Sequence, residues 1–320
     1  MISTYITCFN KGEYIGEAIQ SILNQTLQPE EIIIVDDRST DCSRDIITHY
    51  AKQYPSLIKP IFNIKNLGIV KCRNIALRNC SGDLITFLDG DDYFYQEKLE
   101  SEYNILIKSD AHAVYSNFHY INKKGHIIGK FAEENDTPAE GNIFINTFGR
   151  IYNTSSGNNY IYEMFYRNCL NEVGYYDPKI KLWEDWDFRI RFSQKFRYIF
   201  CPQINMIYRK HSEGISNLHP SEHYYYQKKV FNNNKHYLDT IPTREKRFVY
   251  MRVKNKLEAL LNIMMRDALY ENNMMRAFFY WLRLFSFFNR KKYLLFIIQK
   301  LLTEKSYQKV IQLKNRITSN

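Results

Sequence analysis

Leu84-Ile85-Thr86-Phe87-Leu88-Asp89-Gly90-Asp91-Asp92 is an apolar run that stops in three carboxylates. A short uncharged apolar run suits a strand buried on both faces, as in a parallel sheet covered by helices. In such sheets ligands bind beyond the carboxyl ends of the strands, which is where Asp89, Asp91 and Asp92 fall. Carboxylates crowded there repel each other strongly unless a cation joins them. An acidic turn leading into a helix has the same composition, since Asp is common in turns and at helix N-termini. On this stretch alone the two readings stand level.

Upstream, short apolar runs alternate with stretches of helical period, the pattern of βαβ units and a mostly parallel sheet. The runs predict strands at Ile2 to Thr7, Glu31 to Val35 and Leu57 to Asn63. Helices are expected from a capping-box-like Asn10-Lys11-Gly12-Glu13 to about Gln25, from Asp41 to Tyr54, and from Gly68 to Asn79. Downstream the order is less regular. A helix near Gln96 to Lys108 is followed by a hairpin, Ala113 to Ile121 and Gly125 to Lys130, turning at Asn122-Lys123-Lys124-Gly125. Residues 131–160, rich in Glu, Asn, Ser, Thr and Gly, predict a long loop with weak strand content, of the kind that serves as a lid. Trp183 to Gln194 predicts a helix and Tyr198 to Tyr208 one or two strands.

Past Glu222 the pattern is helical throughout, and the charge changes with it. Residues 1–220 carry a net −3 and residues 221–320 a net +13, within a total of +10. A basic, aromatic-rich end points to an anionic surface. Arg276, Arg283 and Arg290 recur every seven residues, opposed by Phe278, Phe279, Trp281, Leu282, Phe285 and Phe288, an amphipathic pattern that suits a membrane interface or ordinary packing. No apolar run reaches the roughly 18 residues that a membrane span needs. A strand-like segment begins too close to Met1 to leave room for a secretory signal. The six cysteines form no C-x-x-C pair and read as reduced, mostly buried thiols. Together these predict a cytoplasmic protein, peripheral on the inner face of the cell membrane.

Asp36-Asp37-Arg38-Ser39-Thr40-Asp41 again places carboxylates just past an apolar strand, so two acidic strand ends converge on one crevice. A carboxylate there can accept a ring N–H of a base or the hydroxyls of a ribose. Thr7 and Asn10, at the end of the first strand, border the same crevice, with Asn10 also a candidate cap for the helix that follows.

The ordered series Thr7-Cys8-Phe9-Asn10, Asp36 to Asp41, Gly68 with Arg73-Asn74, and Leu88 to Asp92 resembles family 2 glycosyltransferases of the GT-A fold. The resemblance runs on through Gly174 to Asp177, Trp183-Glu184-Asp185-Trp186-Asp187 and Tyr208-Arg209-Lys210-His211. It implies an α/β catalytic domain over residues 1–220, with a mixed, mostly parallel Rossmann-like sheet flanked by helices, followed by a helical region over 221–320. It implies an inverting transfer of a hexose-type sugar from a nucleotide donor, UDP foremost, to a hydroxyl of a glycan or polyprenyl-linked acceptor. Thr7 and Asp37 are implied at the base, with Asn10 alongside. Arg73 is implied near base and phosphates, and Asp89 and Asp91 at ribose and diphosphate through Mn²⁺ or Mg²⁺. Asp185 matches the catalytic base, with Glu184 and Trp183 toward the acceptor. Arg209 and His211 are implied near the diphosphate or the metal, and Asp92 is left as a helix cap. Two rival readings stand beside this one. A nucleotidyltransferase lacks a Gly-rich, Lys-bearing phosphate loop after the first strand, and a nucleic-acid-binding module lacks any motif to accompany its charge.

Overall fold

Apolar runs separated by amphipathic helices close, in the computed structural model of the chain, into one mixed sheet. The structure describes residues 1–287 apart from 152, 157–161, 211–217 and 272. Strands β1 (Ile2–Cys8), β2 (Glu31–Asp36), β3 (Ile58–Phe62) and β4 (Leu84–Asp89) are parallel, in the order β3-β2-β1-β4. Every residue of β1 and β2 is buried, as a strand covered on both faces requires. Helices α1 (Ile15–Leu23), α2 (Ser43–Gln53) and α3 (Ile69–Asn79) form the crossovers. The chain winds outward from β1 to β3 and then returns to the other side of β1 for β4. That reversal puts the switch point between β1 and β4, where open α/β sheets leave a crevice. Thr7 and Asp89 face each other across it in register.

The rest of the sheet is grafted on through a very short element. β8 (Met164–Tyr166) runs antiparallel to both β4 and β6 (Ala113–Asn122). β9 (Tyr198–Lys210) lies parallel to β6, and β5 (Tyr93–Phe94) antiparallel to β9. β7 (Ile127–Lys130) forms the expected hairpin with β6. Its turn is made by Asn122, whose side chain accepts the N–H groups of Lys124 and His126, and by Gly125 at φ +82°. The Tyr198 region is one strand of 13 residues, with register shifts at Ser116 and Asn117 of β6. Beneath β4, β6 and β9, helix α4 (Lys98–Leu106) inserts a buried ion pair, Lys98 with Glu102 at 2.5 Å. Thr86 and Ser116 complete its hydrogen bonds, as a buried charge demands.

The described part of residues 131–160 is mostly without regular structure, as expected of a long loop with weak strand content, with one isolated bridge at Gly141, but it is anchored rather than free. Phe131, Ala132, Ile143, Phe144 and Phe148 are buried, and α5 (Phe144–Gly149) forms among them. The polar residues around these aromatics masked them as anchors. After α6 (Leu170–Val173) and α7 (Glu184–Lys195) come α8 (Pro220–Asn234), α9 (Thr243–Tyr270) and α10 (Met274–Phe287).

The chain divides into two compact units. One comprises residues 1–218 and 226–253, the other residues 219–225 and 254–320. In the second, α9 buries Leu261, Met264, Met265 and Ala268, and α10 buries Ala277, Tyr280 and Leu284. The arginines of α10 therefore do not simply oppose its apolar residues. Met275, Phe278, Phe279 and Leu282 are themselves exposed, and Arg283 lies over the Phe279 ring at 4.5 Å. The buried stripe falls on Ala277, Tyr280 and Leu284, a face that the arginine spacing does not mark. Residues Phe288 and Arg290 lie outside the described residues.

Candidate active site

The end of β4 is the centre of the site. Asp89 accepts from the Thr7 hydroxyl at 3.0 Å, from Arg73 Nη2 at 3.2 Å to each oxygen, and from the Tyr162 hydroxyl at 3.0 Å. Gly90 follows it where a side chain has little room, because a Cβ would stand 3.2 Å from the Thr7 carbonyl oxygen. Asp91 pairs with Lys11 Nζ at 2.5 Å, so the loop after β1 supplies a cation that the sequence reading had not singled out.

Asp92 corrects the expectation of a helix cap. It is buried, accepts the Arg209 N–H at 2.7 Å and the Tyr162 hydroxyl, and α4 begins only at Lys98. Burial, and then the charge of Asp91, push its carboxyl well above the usual carboxylate range. Arg209 sends Nε to the Asp91 carbonyl at 3.0 Å and Nη2 to Glu17 at 2.7 Å, and lies over the Tyr14 ring. It thus stands against the backbone of the acidic turn. His211 lies outside the described residues.

The second acidic strand end is tied to its own loops. Asp37 accepts from Asn63 Nδ2 at 2.9 Å and from the N–H groups of Leu67 and Gly68 at 2.7 Å each. Gly68, at φ +84°, takes a conformation that a side chain disfavours. Asn10 is not a helix cap: α1 starts at Ile15 after Tyr14, without a side-chain cap. Asn10 instead has φ +52° and accepts the Thr40 N–H at 2.8 Å, which pins the loop after β2 to the loop after β1.

Across the crevice, the start of α7 carries Glu184 and Asp185. Arg73, buried on α3, donates from Nη1 to Glu184 at 2.9 Å and so joins the two acidic groups of the site. Burial opposes the Arg73 charge, but Asp89 and Glu184 more than offset it and hold the guanidinium protonated. Burial pushes the Glu184 carboxyl up to about 7, with Arg73 pulling it down and Asp185 adding to the rise. Asp185 keeps a side chain 29% exposed and receives Arg189 Nη1 at 2.8 Å. Arg189 is in turn gripped by buried Glu163. Trp183 sits in the left-handed region at φ +66°, its ring 4.1 Å from the Arg150 guanidinium. Trp186 is core: it is buried, and its indole N–H donates to the Thr147 carbonyl at 2.9 Å.

Among the described residues no three His, Cys, Asp or Glu side chains are arranged to hold a metal ion by themselves. Asp89 and Asp91, two positions apart, carry hard oxygen donors, paired in this structure with Arg73 and Lys11. That set fits a divalent ion sharing its shell with ligand phosphates, as Mg²⁺ commonly does, rather than an all-protein cage. Tyr162, Glu163 and Arg189 are the residues that sequence reasoning missed. Tyr162 and Glu163 carry no motif, and only folding brings them to Asp89 and Arg189; Arg189 stands at helical i,i+4 spacing from Asp185 and was findable. Lys11 was findable, being next to Asn10 beyond β1.

Comparison with known proteins bears on the family and the fold. The model of the family described as Glycosyl transferase family 2 matches residues 3–213. The uncharacterized glycosyltransferase YwdF of Bacillus subtilis is 30% identical over 219 residues, 65% of this chain and 73% of its own length. WfgD of Escherichia coli, a UDP-Glc:alpha-D-GlcNAc-diphosphoundecaprenol beta-1,3-glucosyltransferase, is 33% identical over 131 residues, 41% of this chain and 50% of its own length. S. aureus TarS 1-349, solved in complex with UDP-GlcNAc, has the same fold. It superposes with a TM-score of 0.56 at 16% identity, over 86% of this chain and 89% of that one. The chain spans about half the length of several curated relatives that it matches.

Proposed function

The chain belongs to glycosyl transferase family 2 and has the GT-A fold, and from that premise we propose that it moves a hexose-type sugar from a UDP donor to a hydroxyl of a lipid-linked or surface-glycan acceptor, with inversion. The observation that carries this reading is the Arg73 bridge, which ties Asp89 of the candidate donor site to Glu184, the neighbour of the candidate base. Asp185 takes the proton of the acceptor hydroxyl. The acceptor oxygen bonds to C1 of the sugar as the bond from C1 to the diphosphate oxygen breaks, and the electron pair leaves with the nucleotide diphosphate. Asp89 and Asp91 would hold a divalent ion, which would supply positive charge beside the diphosphate. Thr7 and Asp37 border the base, with Asn10 fixing their loops. Arg209 braces the acidic turn, and Trp183 and Glu184 orient the acceptor. The UDP-sugars of WfgD and TarS support the choice of nucleotide.

A thermal-shift and hydrolysis screen of nucleotide sugars with Mn²⁺ tests this. A UDP-sugar at about 100 times its Kd adds roughly 2.7 kcal/mol of stability, enough to raise Tm by a few degrees, and is slowly hydrolysed. If no nucleotide sugar moves Tm, the donor assignment is wrong.

The acceptor reading brings in the C-terminal helices. Among the described residues no helix is long and apolar enough to cross a membrane. The exposed Met275, Phe278, Phe279 and Leu282, beside Arg276 and Arg283, suit shallow insertion at the cytoplasmic face. Each basic residue adds only about 1 kcal/mol there, so the apolar stripe has to contribute as well. The full chain is expected to sediment with phosphatidylglycerol vesicles and a chain ending at residue 269 to stay in the supernatant. Equal sedimentation of the two would refute a role for α10.

A further inference from the structure

We propose that Glu163 and Arg189 are positioning residues that aim Asp185 and balance the charge beside it. The proposal rests on the reading of Asp185 as the base. Arg189 stands one turn after Asp185 on α7 and offers it Nη1 at 2.8 Å. Its other edge is closed by Glu163, with Nε to Oε1 at 2.9 Å and Nη2 to Oε2 at 2.7 Å. Both members of that pair are 2% exposed. An exposed pair at this helical spacing gains little, because two flexible side chains must be ordered to form it. Here the guanidinium is already fixed by a buried bidentate partner, so only the Asp185 carboxylate has to be placed. Arg189 occupies Oδ2. Oδ1 accepts no hydrogen bond among the described residues and belongs to a side chain that is 29% exposed. One oxygen is held while the other is presented to the crevice.

Charge completes the device. A lone arginine against Asp185 would stabilise its ionised form and weaken it as a proton acceptor. Glu163 offsets that charge, so Arg189 supplies direction while the group as a whole keeps one net negative charge. Among the described residues, further charged and titratable groups near this carboxylate include Glu184 beside it, Arg73 and Asp89 behind Glu184, and Tyr176, which feels both Arg189 and Glu163. None of these is altered by the substitutions below. Glu163 is contributed by the segment that leads into β8. Its neighbour Tyr162 holds Asp89, so adjacent residues brace the candidate donor and base carboxylates.

The test measures kcat, donor KM and the pH dependence of kcat for Glu163→Gln and for the double variant Glu163→Gln/Arg189→Gln, with Asp185→Asn as control. Glu163→Gln leaves the arginine charge uncompensated. Its kcat is expected to fall on the order of 10-fold with donor KM within about 2-fold, and the acid limb of the profile to move toward lower pH by about one unit, the equivalent of that factor. The double variant removes both charges, and its acid limb is expected to move the opposite way. Should Glu163→Gln fail to fold, the double variant alone decides the matter by the direction of its limb. An acid limb that stays at the wild-type pH in the folded variants overturns the proposal, even if activity falls, because a merely structural defect lowers the rate without moving the limb. If Asp185→Asn retains transfer, the base reading fails and takes this proposal with it. If Asp185→Asn is inactive and the limbs do not move, only this proposal fails.

Discussion

Asp185→Asn is expected to lower sugar transfer by a factor of about 10³ or more, while affinity for the nucleotide diphosphate stays within a few-fold. General-base catalysis contributes on the order of 10²–10⁴, and the upper part of that range applies because the described residues offer Asp185 no equivalent neighbour. Glu184 is buried and committed to Arg73. The amide keeps the shape of the carboxylate and still accepts the Arg189 hydrogen bond through its oxygen, so the fold of α7 is preserved. The measurement is single-turnover transfer beside calorimetric titration with UDP. A large loss of UDP affinity would show that Asp185 binds the donor instead of activating the acceptor.

Asp91→Ala is expected to erase the dependence of donor binding on Mn²⁺. Loss of an outer-shell partner of a metal ligand already costs about 10–100-fold in affinity, and removing a direct ligand should cost at least as much. The substitution also releases Lys11, whose ammonium is then free to attract the diphosphate. Absolute UDP affinity is therefore a poor readout, and the difference between titrations with and without Mn²⁺ is the informative one. An undiminished difference would mean that Asp91 is no ligand.

Legibility of this molecule in its sequence follows physical lines. β1, β2 and β4 announce themselves because each buried apolar run ends abruptly in polar residues, and the helices between the first strands carry periodic apolar faces. β8 has no such signal. Three residues, Met164 to Tyr166, are too few to show a period, and their burial comes from β4 and β6 on either side. α5 is hidden for a related reason, since its aromatic anchors lie among Glu, Asn, Thr and Gly. In the candidate site, the placement of Asp89, Asp91 and Asp185 at a strand end and a helix start is legible, because apolar runs and helical period locate those ends. Their partners are not. Nothing before folding says that Arg73 spans from Asp89 to Glu184, or that Asp92 faces Tyr162 rather than a helix terminus. The reach of a buried side chain depends on the sheet order, which local pattern does not encode.

The brevity of β8 also bears on how the protein is made. β4 gains its neighbour on that side only when Tyr166 reaches Leu84, roughly 80 residues later in the chain. At ribosomal speeds that interval lasts on the order of 4–16 s. Until then Leu84 and Ile85, the two residues that β8 pairs, lack that partner, and an unpaired apolar strand edge is the type of segment that recruits other chains. The acidic turn from Asp89 to Asp92 lies at the very end of that edge. Charge beside an apolar strand is the pattern of an aggregation gatekeeper, so the same turn protects the nascent strand independently of any ligand.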